Sequence, residues 1–129
     1  MISDNLKQVK SRIDSIQSSQ KVELIAVSKT RSNAEIQEAV SAGQVHFGEN
    51  YLQESINKIN FFKGGGLVWH FIGPIQSNKT ALIADNFDWV HSVDRIKIAK
   101  RLSNQRSTKL TPLNILIQVN VDKEETKSG

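Results

Sequence analysis

Val22-Glu23-Leu24-Ile25-Ala26-Val27-Ser28-Lys29-Thr30-Arg31-Ser32-Asn33-Ala34-Glu35 holds, in order, a strand, a turn and the start of a helix. Val22 to Val27 is short, mostly apolar and rich in branched side chains, the pattern of a strand buried on both faces of a parallel sheet. Ser32-Asn33-Ala34-Glu35 is a capping-box pattern: the serine oxygen can accept from the Glu35 amide while the Glu35 carboxylate reaches back to the Ser32 amide. Ile36, Ala39 and Val40 give that helix an inward stripe, and Gly43 stands where a left-handed C-terminal residue is wanted.

Working outward, the same unit recurs. Upstream, Leu6, Val9, Ile13 and Ile16 fall at helical spacing and predict a helix over Ser3 to Gln20, with Ser3 or Asp4 as its N-cap. Downstream, Val45-His46-Phe47 predicts a second strand, and Asn50 to Asn60 a helix with Leu52, Ile56 and Ile59 inward. Leu67 to Ile72 predicts a third strand, followed by a helix over about Gln76 to Asn86. Trp89-Val90-His91 predicts a fourth, with Asp94 capping a helix that carries Ile96, Ile98, Ala99 and Leu102. Asn114 to Val121 reads as a fifth strand of the buried type.

Strands starting near 22, 45, 67, 88 and 114 lie about one βα unit apart, so the fold class is α/β with a parallel sheet. Periodicity alone does not separate an open doubly wound sheet from part of a closed barrel. A complete eight-stranded barrel takes roughly 250 residues and at least about 200, so five strands in 129 residues fall short of one. The last apolar strand runs into Glu124-Glu125-Thr126-Lys127-Ser128-Gly129 with no predicted helix to cover it. The expectation is a C-terminally truncated chain, with residues 1–129 forming the N-terminal part of a single barrel domain.

Composition narrows the function classes. Hydrophobic residues make up 38% and charged residues 23%, with no cysteine, so disulfide and thiolate chemistry are excluded. No apolar run approaches the ~18 residues of a membrane span, and the N-terminus lacks a basic stretch followed by an apolar core. A cytoplasmic location without membrane association is expected. The net charge is +4, but Lys and Arg are scattered among acids, which favours a solvated surface over a nucleic-acid footprint and stays compatible with an anionic ligand.

Ligands of parallel α/β folds bind at the carboxyl ends of the strands. Lys29 follows the first strand there; partial desolvation would lower its pKa and leave the amine free to attack an aldehyde, although a lysine at a strand end often simply opens a solvated loop. Gly73-Pro74-Ile75-Gln76-Ser77-Asn78-Lys79-Thr80 matches a phosphate loop except that Asn78 replaces the second glycine, and Asp122 stands where a Mg²⁺-binding acid would. His46, His70 and His91 come from successive strands; a three-histidine zinc site is conceivable, but core or loop histidines are the simpler reading. Trp69 and Trp89 are read as packing between sheet and helices.

Three stretches carry a resemblance: Ala26-Val27-Ser28-Lys29-Thr30, Phe47-Gly48-Glu49-Asn50-Tyr51-Leu52-Gln53-Glu54 and Trp69-His70-Phe71-Ile72-Gly73-Pro74-Ile75-Gln76-Ser77-Asn78-Lys79. With Leu113 to Asn120 and Lys127-Ser128-Gly129, they closely resemble the pyridoxal phosphate homeostasis protein family, whose fold is similar to the N-terminal barrel of alanine racemase. The resemblance implies a partial (β/α)₈ TIM-type barrel of fold type III, with about five of its parallel strands in this chain. It also implies pyridoxal 5′-phosphate (PLP) as cofactor, held as a Schiff base on Lys29. Asn50 would lie beside it, Val27 and Ile72 would give apolar contact near its ring, and His70 is a further neighbour. It demotes the near-miss phosphate loop, and it places most of the groups that hold the cofactor phosphate beyond these residues.

The leading expectation is a non-catalytic PLP-binding protein of intracellular PLP homeostasis, since no second acid/base group is evident opposite Lys29 and racemisation normally needs two. A PLP-dependent amino-acid racemase-like enzyme is the alternative, and a nucleotide or nucleic-acid binder using Lys79 a third. Unpaired edges at strands one and five predict self-association.

Overall fold

The computed structural model describes residues 1–16 and 18–129. Helix α1 (Ile2–Asp14) precedes four βα units and a fifth strand: β1 (Ala26–Val27), α2 (Asn33–Ser41), β2 (His46–Glu49), α3 (Leu52–Phe61), β3 (Val68–Phe71), α4 (Thr80–Asn86), β4 (Trp89–Val93), α5 (Ile96–Gln105) and β5 (Asn114–Ile117). A 3₁₀ turn, Ser77–Lys79, leads into α4. The strands are parallel and lie side by side in chain order, β1-β2-β3-β4-β5. A doubly wound sheet reverses its strand order at a switch point; unbroken chain order is that of an arc of a (β/α)₈ barrel, which settles what periodicity left open.

The sheet's pleat sorts its residues. Phe47 pairs with Trp69, and Phe71 with Val90; all four are buried with Ile36 and Ala39 of α2, Ile83 and Ala84 of α4, Phe87, and Ile98 and Leu102 of α5. This single core, between one sheet face and the helices, holds the repeats together; each fully buried Phe, Leu or Ile contributes roughly 1.5–3 kcal/mol. The other face starts from the row Val27, Gly48, His70, Trp89, Asn114, aligned strand by strand.

The Ser32–Glu35 capping box forms in both directions, at 3.1 and 3.2 Å, and Gly43 takes φ +96°. Other expectations are corrected. α1 begins after Met1, its first amides accepted by Glu38 Oε1 of α2 at 3.1 and 3.4 Å, so neither Ser3 nor Asp4 is the N-cap. It ends at Asp14, leaving Val9 and Ile16 exposed; the expected continuation to Gln20 includes Gln17, outside the described residues. α5 starts after Arg95, and Asp94 instead accepts from the Arg95 side chain. β5 is exposed along its length, as are Val22 and Val27, because no described element packs on these apolar side chains. Among the described residues no helix is long and apolar enough to cross a membrane.

Candidate functional site

The carboxyl rim of the sheet centres on the turn Ser28–Arg31. The Ser28 amide extends the ladder to Gly48 O at 3.0 Å, and the Arg31 amide then closes a β-turn onto Ser28 O at 3.1 Å. Lys29 and Thr30 are its central residues. Thr30 sits at φ 62°, a left-handed conformation that costs a β-branched residue roughly 1–2 kcal/mol, so something must hold it there.

That something is a buried ion network. Lys58, 5% exposed, donates to Ser28 O at 2.7 Å and contacts Glu49, which is fully buried, at 3.0 and 3.2 Å. It also pairs with Glu54 at 2.7 Å, and Glu54 accepts the Thr30 amide at 2.7 Å. Ser28 Oγ donates to the second Glu49 oxygen. One lysine and two carboxylates thus grip the turn by a carbonyl on one side of Lys29 and an amide on the other. The Lys58 bond holds the Glu54 carboxyl below its ordinary pKa; burial opposes it, and the Thr30 amide adds a smaller lowering. Sequence reasoning missed Glu49, Glu54, Ser55 and Lys58. α3 turns Leu52 and Ile59 against the core as expected, with Ile56 half-buried, but its deepest positions are Ser55 and Lys58. The available signal was a serine and a lysine three apart on that helix's apolar side.

Lys29 itself is exposed, so the desolvation expected of it is absent. Counting up from the aligned row, Lys29, Asn50, Ile72 and His91 form the next row on the open face. Asn50 Oδ1 is buried and has no hydrogen-bond partner among the described residues. Gly73 explains its fixed place: a Cβ there would lie 2.7 Å from Asn50 Cβ and 3.0 Å from Asn50 O. Gly48 allows a similar approach, since its Cβ would meet Ile25 and Ile72 methyl carbons at 3.2 Å each. Val27, 53% exposed, and the half-buried Ile72 flank this surface. The structure therefore gathers Lys29, Asn50, Val27, Ile72 and His70 on one face.

The three histidines also share that face, which spacing had not shown. His46 Nδ1 lies 2.9 Å from His70 Nε2, and His70 Nδ1 lies 3.0 Å from His91 Nε2. They form a chain and do not surround a point, and no group of His, Cys, Asp or Glu among the described residues is arranged to hold a metal. Both His70 nitrogens are engaged, so His70 reaches a ligand only through its neighbours. Burial, then its two histidine neighbours, lowers its pKa from 6.5 to about 4, and burial also lowers that of His91. Trp89 stacks on His70 at 5.6 Å, so only Trp69 packs between sheet and helices. At the near-miss phosphate loop, Asn78 lies in the 3₁₀ turn, has no positive φ, and Thr80 Oγ1 donates to Ser77 O at 3.1 Å; no amide cradle forms. Asp122 is exposed beyond β5.

Among known families, the alanine racemase N-terminal domain matches residues 2–129. The chain is 49% identical over 136 aligned positions to a protein of Escherichia coli K12 named pyridoxal phosphate homeostasis protein, covering 99% of this chain and 58% of that protein. It is 50% identical over 137 to the protein of the same name from Vibrio cholerae, again 99% and 58%. Among solved structures it is similar to PipY of Synechococcus elongatus without PLP, at TM-score 0.87, 38% identity, 100% of this chain and 58% of that one. PipY with PLP bound gives TM-score 0.72 and 42% identity over 81% of this chain and 48% of that one. The chain spans about three-fifths of the length of these relatives.

Proposed function

The chain belongs to the alanine racemase N-terminal domain family, and on that footing we propose that it binds PLP as a Schiff base on Lys29 and serves intracellular homeostasis of that cofactor. The observation that carries this reading is an exposed amine on a rigidly clamped turn, level with a buried, partnerless amide oxygen on the same sheet face. Those groups fit the cofactor. A lysine amine condenses with an aldehyde with loss of water. Asn50 Oδ1 is an acceptor waiting for a donor, which a phenolic or pyridinium group supplies, and Val27 and Ile72 offer apolar surface to an aromatic ring. PipY with PLP bound and relatives named for PLP homeostasis support the same assignment.

When bound, PLP supplies an electron sink for carbanion chemistry. This chain's residues would position it: Lys58 and Glu54 fix the turn that bears Lys29, Gly73 fixes Asn50, and Ile72 would offer apolar surface beside it. A carrier role without robust catalysis is the leading form of the proposal. A second form, a PLP-dependent amino-acid racemase-like catalyst, gains support from His70 and His91 on the face of Lys29. Titrating PLP against the protein and Lys29→Ala, then assaying D-alanine from L-alanine, separates them. The carrier reading expects Lys29-dependent yellow absorbance without turnover; clear turnover favours the enzyme, and absorbance unchanged in Lys29→Ala removes both.

Also proposed are a cytoplasmic location, supported by the absence of cysteine, and no nucleic-acid or membrane partner. Self-association through β1 and β5, the two edges of the sheet, is proposed too; a monodisperse monomer in light scattering would count against it. Five strands of an eight-stranded barrel, in a chain spanning 58% of relatives, support reading residues 1–129 as the N-terminal part of one barrel domain.

A further inference from the structure

The histidine chain on the open face has a fourth member. Glu23 Oε1 lies 3.1 Å from His46 Nε2, so four side chains run Glu23–His46–His70–His91 through contacts of 3.1, 2.9 and 3.0 Å. Each end of the run is placed by the fold. The buried Gln44 side chain donates to Leu24 O and to His46 O, both at 2.8 Å, which ties the segment bearing Glu23 to the start of β2. At the other end His91 follows Val90, the register partner of Phe71, and so stands beside Ile72 in the row of Lys29 and Asn50. The chain therefore crosses the sheet from the amino ends of its strands to the carboxyl rim.

We infer that Glu23, His46, His70 and His91 form a directional proton relay across the open face of the sheet. The direction follows from hydrogen-bond chemistry. A carboxylate only accepts, so His46 must carry its proton on Nε2, leaving Nδ1 bare. Nδ1 can then accept only if His70 is protonated on Nε2, and the same logic makes His91 an Nε2–H donor to His70 Nδ1. The neutral chain has one self-consistent tautomer at every ring, and His91 Nδ1 is left as its free acceptor.

A proton arriving at His91 Nδ1 releases the Nε2 proton to His70 Nδ1. His70 passes its own Nε2 proton to His46, and His46 passes its own to the Glu23 carboxylate. One proton enters and one is bound at Glu23, each ring ending neutral as the Nδ1–H tautomer; return of the proton along the same path resets the chain. The low pKa of the buried His70 keeps its ring neutral between transfers. Glu23 is half-exposed, so its end of the relay meets solvent. A ligand held beside Ile72 would exchange protons with His91; that consequence, unlike the relay, rests on the PLP reading of Lys29.

Nitrogen NMR of the ¹⁵N-histidine-labelled chain near neutral pH tests the relay directly. The expected result is three rings protonated on Nε2, with nitrogen–nitrogen couplings across the His46–His70 and His70–His91 hydrogen bonds. A neutral ring protonated on Nδ1, or the absence of either coupling, overturns it. Glu23→Gln supplies the second test, because an amide can donate as well as accept and no longer fixes the order. Mixed tautomers should then appear at all three rings, and in a His70→Phe background the substitution should leave His91 unmoved. A response to Glu23→Gln confined to His46 would refute transmission along the chain.

Discussion

Lys58→Met removes the charge that makes Glu49 tolerable in the core. The lysine ammonium contacts both Glu49 oxygens, Glu54 and the Ser28 carbonyl, all within 3.2 Å, and Glu49 is fully buried. Truncating one partner of such a pair leaves an uncompensated buried charge, at a cost of about 3–5 kcal/mol. Methionine retains most of the lysine stem, so little of the loss comes from packing. Removing both charges in Glu49→Gln/Lys58→Met eliminates that penalty, so the double variant should be more stable than Lys58→Met alone by about 2 kcal/mol or more. Urea denaturation followed by the fluorescence of Trp69 and Trp89 gives all four corners of the cycle. Small domains hold only about 5–15 kcal/mol in total, so that loss is readily measured; loss of the Lys58 bond to Ser28 O should also loosen the turn and weaken the proposed binding of PLP at Lys29. A loss below about 1 kcal/mol for Lys58→Met, or strictly additive single and double variants, would refute the clamp.

Other perturbations probe the rim independently. Gly73→Ala drives a methyl to 2.7 Å from Asn50 Cβ and 3.0 Å from its carbonyl oxygen, so it should cost about 1–3 kcal/mol and loosen PLP. Gly48→Ala meets only flexible isoleucine methyls at 3.2 Å and should cost less; the reverse order in denaturation midpoints would contradict the packing. Thr30→Gly relieves a left-handed threonine and should gain about 0.5 kcal/mol after the entropy of glycine is deducted, whereas a loss above about 1 kcal/mol would mean that φ 62° is not strained. His70 titrates at about 4 in the folded protein, below its ordinary 6.5. The unfolded chain therefore binds the extra proton first, and stability should fall as pH drops from about 6.5 to about 4, by up to about 3 kcal/mol. His70→Phe should flatten that slope in denaturation series across the window.

Sequence spacing made the βα repeat legible because each unit carries its own periodicity, and the Ser32–Glu35 box is local enough to read outright. Strand order was not legible in the spacing, since it depends on which neighbours pair; only the family resemblance implied the barrel arc that chain-order pairing makes. The proposal of Lys29 and Asn50 as cofactor neighbours came from motif resemblance. The clamp was not legible, since Lys58 looks like any helical lysine until Glu49 and Ser28, far away in sequence, are brought against it. The histidines illustrate the same limit: one per strand was visible, but the alignment of Gly48 with His70 and His70 with Trp89 decides that they touch. β5 combines the legible and the illegible: its apolar sequence is of the buried type, and its side chains are exposed because no described element covers them, as the lack of a predicted helix after it led one to expect.

Whether Lys29 holds the cofactor, as proposed, is decided by borohydride reduction of the PLP-treated protein followed by peptide mapping. A phosphopyridoxyl label is expected on the peptide containing Lys29, with loss of that label in Lys29→Ala. A label on another lysine, or yellow absorbance that survives Lys29→Ala, would contradict it.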